Sequence, residues 1–100
     1  MHDTDLIAQV CDAAKNYSSI VRLTLFGSRA RKTHGRTSDF DICVSCADDK
    51  DFVGFSFDIE DINTYYSIDL LRYENVNNDL LKDEISKDGV ILYESASEEI

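Results

Sequence analysis

The sequence predicts an α+β fold. Apolar residues recur at helical spacing in some stretches and alternate with period two in others, and the two kinds of stretch follow one another with turn signals between them. The third observation is size. One hundred residues, 43% hydrophobic and 10% aromatic, suffice for one compact domain with one core and leave no room for a second, substrate-binding domain. Residues 1–95 are expected to form that domain and residues 96–100 a frayed C-terminal tail.

From Asp3 to Tyr17, the residues Leu6, Ile7, Val10, Ala14 and Tyr17 lie on one helical face, with acids in the first turn and Lys15 near the end. Ile20 to Phe26 reads as a strand in which Val21, Leu23 and Leu25 share a face, and it runs into a tight turn at Gly27-Ser28. Ser28 to Lys32 can form a short helix, and Thr33 to Ser38, with Gly35, reads as a loop. In the next strand Phe40, Ile42 and Val44 alternate with Asp39, Asp41 and Cys43, so its two faces are chemically opposite. Phe52, Phe55, Ile59 and Ile62 fit a helix after the acidic segment at 48–51, against the weak helix formers Gly54 and Ser56. A strand over Ser67 to Tyr73 puts Ile68 and Leu70 on one face and Asp69 on the other. Asn78 is placed to cap a helix carrying Leu80, Leu81 and Ile85, Gly89 to end it, and Val90 to Tyr93 to form a last strand.

Charge and composition narrow the function. Ten Lys and Arg against twenty Asp and Glu leave a net charge of −10, which repels phosphate backbones and argues against nonspecific nucleic-acid binding. No apolar run is long enough to span a bilayer and the N-terminus lacks signal-peptide character, so a cytoplasmic protein without membrane contact is expected. Cys11, Cys43 and Cys46 are an odd count, expected as reduced thiols. Cys43 and Cys46 match C-x-x-C, yet residues three apart on a strand face opposite sides and no second pair exists, which argues against zinc or redox chemistry.

The carboxylates Asp39 and Asp41 are the chemical focus. Two residues apart on a strand, they project to one face at a spacing of about 6 to 7 Å. Side by side they repel each other unless a cation compensates them, and all-oxygen ligands suit Mg²⁺ or Mn²⁺. D-x-D alone is a weak signal. About ten residues upstream, however, a strand ends in Gly27-Ser28 and turns toward a helix, an arrangement that aims backbone N–H groups at a phosphate. Gly27 allows close backbone approach, and the Ser28 hydroxyl can bond a phosphate oxygen.

The run FGSRARKTHGRTSDFDI resembles the G-S-x-A-R … S-D-x-D signature of the polymerase-β-like nucleotidyltransferases, in particular the minimal nucleotidyltransferases that serve as antitoxins to HEPN toxins. The resemblance covers nearly the whole chain and implies a two-layer α/β arrangement, a mixed β-sheet flanked by helices. It also implies a third carboxylate on a later strand, which Asp69 matches. Lys32 departs from the pattern: many members have glycine directly after G-S-x-A-R, whereas here the glycine is Gly35. Lys32 can be a solvated helix residue or, like Arg29 or Arg31, add a charge to the triphosphate.

The chemistry this resemblance implies is nucleotidyl transfer from ATP or another nucleoside triphosphate. Asp39, Asp41 and Asp69 would act as catalytic residues and metal ligands for two Mg²⁺ ions, or Mn²⁺, about 3.5 to 4 Å apart. Gly27, Ser28, Arg29, Arg31 and Ser38 would bind the nucleotide and its phosphates. His34 and the Tyr65-Tyr66 pair are within sequence reach of nucleotide or partner, but loop solvation and packing are the commoner fates of such residues.

Since the catalytic fold uses up the chain, the acceptor is expected on another subunit, in a homo- or hetero-oligomer. The resemblance implies a helical HEPN-type partner, an AMP acceptor tyrosine on it, and an antitoxin role. Two alternatives stand beside that expectation: transfer to a small antibiotic-type molecule, and a noncatalytic antitoxin that neutralises its partner by stoichiometric contact.

Overall fold

The computed structural model describes residues 3–27, 30, 39–62 and 66–95. The order of elements is α1 (Asp3–Ala14), β1 (Ile20–Phe26), β2 (Phe40–Cys46), α2 (Asp49–Glu60), β3 (Ile68–Arg72), a 3₁₀ turn (Tyr73–Asn75), α3 (Asp79–Asp88) and β4 (Val90–Glu94). The expected short helix at 28–32, the loop at 33–38 and the tail at 96–100 lie outside the described residues, apart from Ala30.

The four strands form one mixed sheet in the order β3-β2-β1-β4. β1 runs antiparallel to both β2 and β4, whereas β2 and β3 are parallel, with α2 between them in the chain. A parallel pair cannot be joined by a tight turn and needs such a crossover.

One face of the sheet carries the main core. Leu6, Val10 and Ala14 of α1, Phe55 and Ile59 of α2, and Ile20, Leu23, Leu25, Phe40, Ile42, Val44 and Cys46 of the sheet are all buried in a single cluster. Their burial is the main stabilising term, at roughly 25 cal/mol per Å² of apolar surface removed from water. Burial carries α2 through Gly54 and Ser56, with Phe52 and Ile62 packed at its margin. α3 covers part of the opposite face, where Ile85 is buried near Thr24 and Cys43. Cys43 and Cys46 thus lie on opposite faces as free thiols.

Three local departures from the expected boundaries have physical causes. α1 stops at Ala14, followed by turn-like bonds from Asn16 N–H to Ala13 O (3.1 Å) and Tyr17 N–H to Ala14 O (3.1 Å). This release lets Tyr17 meet the Phe55 ring edge-on at 6.2 Å and donate its hydroxyl to Asp58 Oδ2 at 2.5 Å. In β1 the register against β2 shifts between Ile20 and Arg22, so Ile20 rather than Val21 joins Leu23 and Leu25 in the core. An extra residue in a strand reverses the side-chain alternation beyond it. β3 ends at Arg72, one residue early, because the chain winds into the 3₁₀ turn. Arg72 donates from Nε (3.1 Å) and Nη2 (2.9 Å) to Cys46 O, fastening the far ends of β2 and β3 together.

Asn78 caps α3, its side chain accepting from the N–H groups of Leu80 (2.9 Å) and Leu81 (3.2 Å). Gly89 ends that helix in an extended conformation, φ −69° and ψ 150°. What requires glycine there is close approach. A Cβ would stand 2.2 Å from Ile85 O and 2.5 Å from Thr24 Cγ2. Gly89→Ala is therefore expected to lower stability by about 1 to 3 kcal/mol, the usual range for overpacking a tight contact. Urea denaturation of the two proteins measures it.

Candidate active site

The C-terminal end of β1 meets the N-terminal ends of β2 and β3, and the carboxylates gather at this junction. β1 ends at Phe26, which pairs with Asp41 of β2, and the chain turns at Gly27 with φ 77°. Side chains other than glycine rarely take that conformation. Space imposes glycine a second time, since a Cβ on Gly27 would lie 2.6 Å from Asp41 Oδ2. The glycine turn and the second acid of S-D-x-D are thus in direct apposition.

Across the other edge of β2, the parallel register sets Asp41 against Asp69. Residues opposed in this way share a face of the sheet. The same register opposes Phe40 to Ile68 and Ile42 to Leu70, all four turned to the α1–α2 side. Burial of these apolar neighbours is what drives both aspartates to the other face. Asp39 directly precedes β2 and is exposed, Asp69 is exposed, and Asp41 is half-buried.

Crowding shows in the ionisation of Asp41. Its pKa is raised above the ordinary 3.8, first by burial and then by the negative charges of Asp69, Asp39 and Glu84. Glu84 comes from α3, more than forty residues beyond the signature, and no local sequence signal marks it. Only the packing of Ile85 on the sheet brings this turn of α3 to the acidic face.

A set of carboxylate oxygens under mutual repulsion has the donor chemistry of a hard divalent cation site. Among the described residues, no three Asp, Glu, His or Cys side chains converge as they stand to hold one ion. Of the other residues expected at the site, Ser28, Arg29, Arg31 and Ser38 lie outside the described residues, as do Lys32, His34, Gly35 and Tyr65. Ala30, inside the same signature, is packed against the core. Tyr66 meets Phe40 edge-on at 5.3 Å, a packing role beside the strand ends. No described helix is long and apolar enough to cross a membrane.

A four-stranded mixed sheet with two helices on one face, and carboxylates clustered beside a glycine turn at its strand ends, defines a nucleotidyltransferase-type fold. The chain belongs to the polymerase beta nucleotidyltransferase family, whose model matches residues 8–98. No curated protein matches it. Among solved structures, it is similar to a chain of a toxin–antitoxin structure with AMP-PNP, at 19% identity and a TM-score of 0.63, covering 97% of this chain and 77% of that one. It is also similar to a chain of the Shewanella oneidensis complex of tri-AMPylated HEPN toxin with MNT antitoxin, at 15% identity and a TM-score of 0.62, covering 97% and 76%. A candidate nucleotidyltransferase from Sulfolobus solfataricus matches at 23% identity and a TM-score of 0.58, covering 90% and 78%. Identities this low establish a shared fold.

The raised pKa of Asp41 has a consequence for stability. Its carboxylate is less favourable in the folded chain than in the unfolded one, so its contribution is greatest below the ordinary pKa of 3.8 and is lost as pH rises through the folded value. Asp41→Asn removes the charge. In metal-free buffer this variant is expected to melt above the parent protein near pH 7, with the advantage shrinking to nothing below about pH 4. Thermal unfolding of both proteins from about pH 3 to about pH 8 checks the sign and the window.

Proposed function

We propose that this protein is a Mg²⁺-dependent nucleotidyltransferase that moves AMP from ATP to a hydroxyl of a partner protein, a tyrosine of a helical HEPN toxin, and thereby acts as its antitoxin. The observation that carries this reading is the parallel register that opposes Asp41 to Asp69, with Asp39 beside them. Support for the partner comes from structural neighbours described as toxin–antitoxin complexes, one with AMP-PNP and one with an AMPylated HEPN toxin.

In this reading Asp39, Asp41 and Asp69 would hold divalent cations, Mg²⁺ or Mn²⁺. Bound there, the cations would neutralise the clustered charge and the triphosphate and make the acceptor hydroxyl more acidic. Gly27, with its positive φ, brings the backbone close to the phosphates, while Ser28, Arg29, Arg31 and Ser38 bond their oxygens. Asp69, at the exposed end of β3, faces the acceptor and draws off its proton, directly or to solvent. The acceptor oxygen forms a bond to the α-phosphorus as the bond from that phosphorus to the bridging oxygen breaks. Pyrophosphate leaves with the electron pair, and AMP remains on the acceptor. Asp41 is half-buried against Gly27, whereas Asp39 and Asp69 are exposed.

Incubation with ATP radiolabelled at the α-phosphate, Mg²⁺ and a HEPN protein that forms a complex with this chain is expected to label that partner. Asp39→Asn combined with Asp41→Asn should cut labelling by about a hundredfold or more, the scale of losing a metal-organised transfer site. Partner neutralisation that survives the double substitution while labelling disappears would assign the antitoxin effect to binding alone.

A further inference from the structure

Among the described residues β3 is an edge strand, and a groove of about 500 Å³ runs between it and α2. Ile59, Ile62, Tyr66, Ile68 and Leu70 supply its apolar lining, and Ser56 and Ser67 its hydroxyls. Glu60 and Asp69 are its charged lining residues, and no Lys or Arg lines it among the described residues. Asp69 lines this groove from the edge strand, while its side chain alternates to the acidic face opposite Asp41.

The hydrogen-bond register of β3 determines which peptide groups the edge offers. Phe40 N–H donates to Ser67 O at 2.9 Å. In a parallel ladder successive residues turn their peptide groups to opposite sides. Ser67, Asp69 and Leu71 therefore turn theirs toward β2, and Ile68 and Leu70 turn theirs away from the sheet, into the groove's edge. An edge with outward N–H and C=O groups beside an apolar groove is the recognition surface used in strand addition.

We propose that this edge docks the acceptor: an extended, cationic peptide segment of the partner protein adds as a strand along β3 and so delivers its hydroxyl residue to Asp69. Strand alternation supplies the geometry. Residues of the added strand opposite Ile68 and Leu70 point to the α2 side and fill the apolar groove. The residue between them, opposite Asp69, points to the acidic face with its Cβ about 4.5 to 5.5 Å from that of Asp69. The segment recognised thus has a hydroxyl residue flanked on each side by an apolar one. Its cationic character follows from Glu60 and Asp69 at the groove, from the exposed Asp61 beside them, and from the chain's net charge of −10. The proposal rests on the transferase reading for the purpose of the docking, while the docking itself is measurable without transfer.

The test titrates a blocked heptapeptide, lysine–threonine–valine–tyrosine–valine–threonine–lysine, whose lysines share the α2-side face of its valines, into ¹⁵N-labelled protein without nucleotide or metal. Saturable shifts should centre on Ile59, Glu60, Ile68 and Leu70. Ile68→Pro deletes an outward N–H and keeps the ladder to β2, as proline on an edge strand can. Glu60→Lys reverses a charge outside the proposed transfer machinery. Ile68→Pro should weaken binding about tenfold and Glu60→Lys about three- to fivefold, and replacing the peptide's lysines by glutamates should weaken binding to the parent and restore it on Glu60→Lys. Shifts centred elsewhere, no saturable shift, or parental affinity in both variants would overturn the proposal. Peptide binding at β3 with no labelling of any acceptor would refute the transferase reading alone. Partner labelling undiminished in a folded Ile68→Pro and in Glu60→Lys would refute the docking alone.

Discussion

The parallel pairing of β2 with β3 is the constraint on which the rest of this molecule depends. It is held from one side by apolar burial, with Phe40, Ile42 and Val44 in the core and Ile68 and Leu70 packed against it. At the far end Arg72 fastens it through two hydrogen bonds to Cys46 O. A slip of one residue would turn Ile68 and Leu70 out of the core and Asp69 into it, so the hydrophobic pattern and the acidic cluster are fixed by the same register. The geometry of the candidate site follows from core packing.

That arrangement leaves a tension at one residue. Asp41 sits between Asp69 and Asp39, within the field of Glu84, and partly out of water, so its charged form is disfavoured. A chain selected only for stability would have no reason to keep a carboxylate there. Gly27 adds to the point, because its missing side chain leaves room for an oxygen of Asp41. Stored repulsion in a site bordered by a glycine turn is what a ligand carrying positive charge would relieve.

Much of this was legible in the sequence, for identifiable reasons. The strand at 20–26, the strand read over 39–44 and the helix capped by Asn78 follow from local periodicity and capping chemistry, which act over a few residues. Asp39 and Asp41 were legible as a pair because strand alternation alone puts them on one face. The pairing of Asp41 with Asp69 was not, since it depends on which strands neighbour one another. Two further features depended on tertiary contacts. The shift in β1 that buries Ile20 in place of Val21 arises from pairing with β2, and Glu84 reaches the acidic face only through the docking of α3. The outward register of Ile68 and Leu70 likewise emerges from a single backbone bond between Ser67 and Phe40.

The carboxylates brought together by this register either form one cation site or are merely neighbours on an acidic surface. Substoichiometric Mn²⁺ added to ¹⁵N-labelled protein reads this directly, since the paramagnetic ion broadens the amide signals nearest to it. Selective broadening is expected around Gly27, Asp39 to Ile42 and Ile68 to Leu70, abolished in Asp41→Asn. Broadening centred instead on the acidic start of α2, at Asp48, Asp49 and Asp51, or spread evenly over the acidic surface, would contradict a single cation site there.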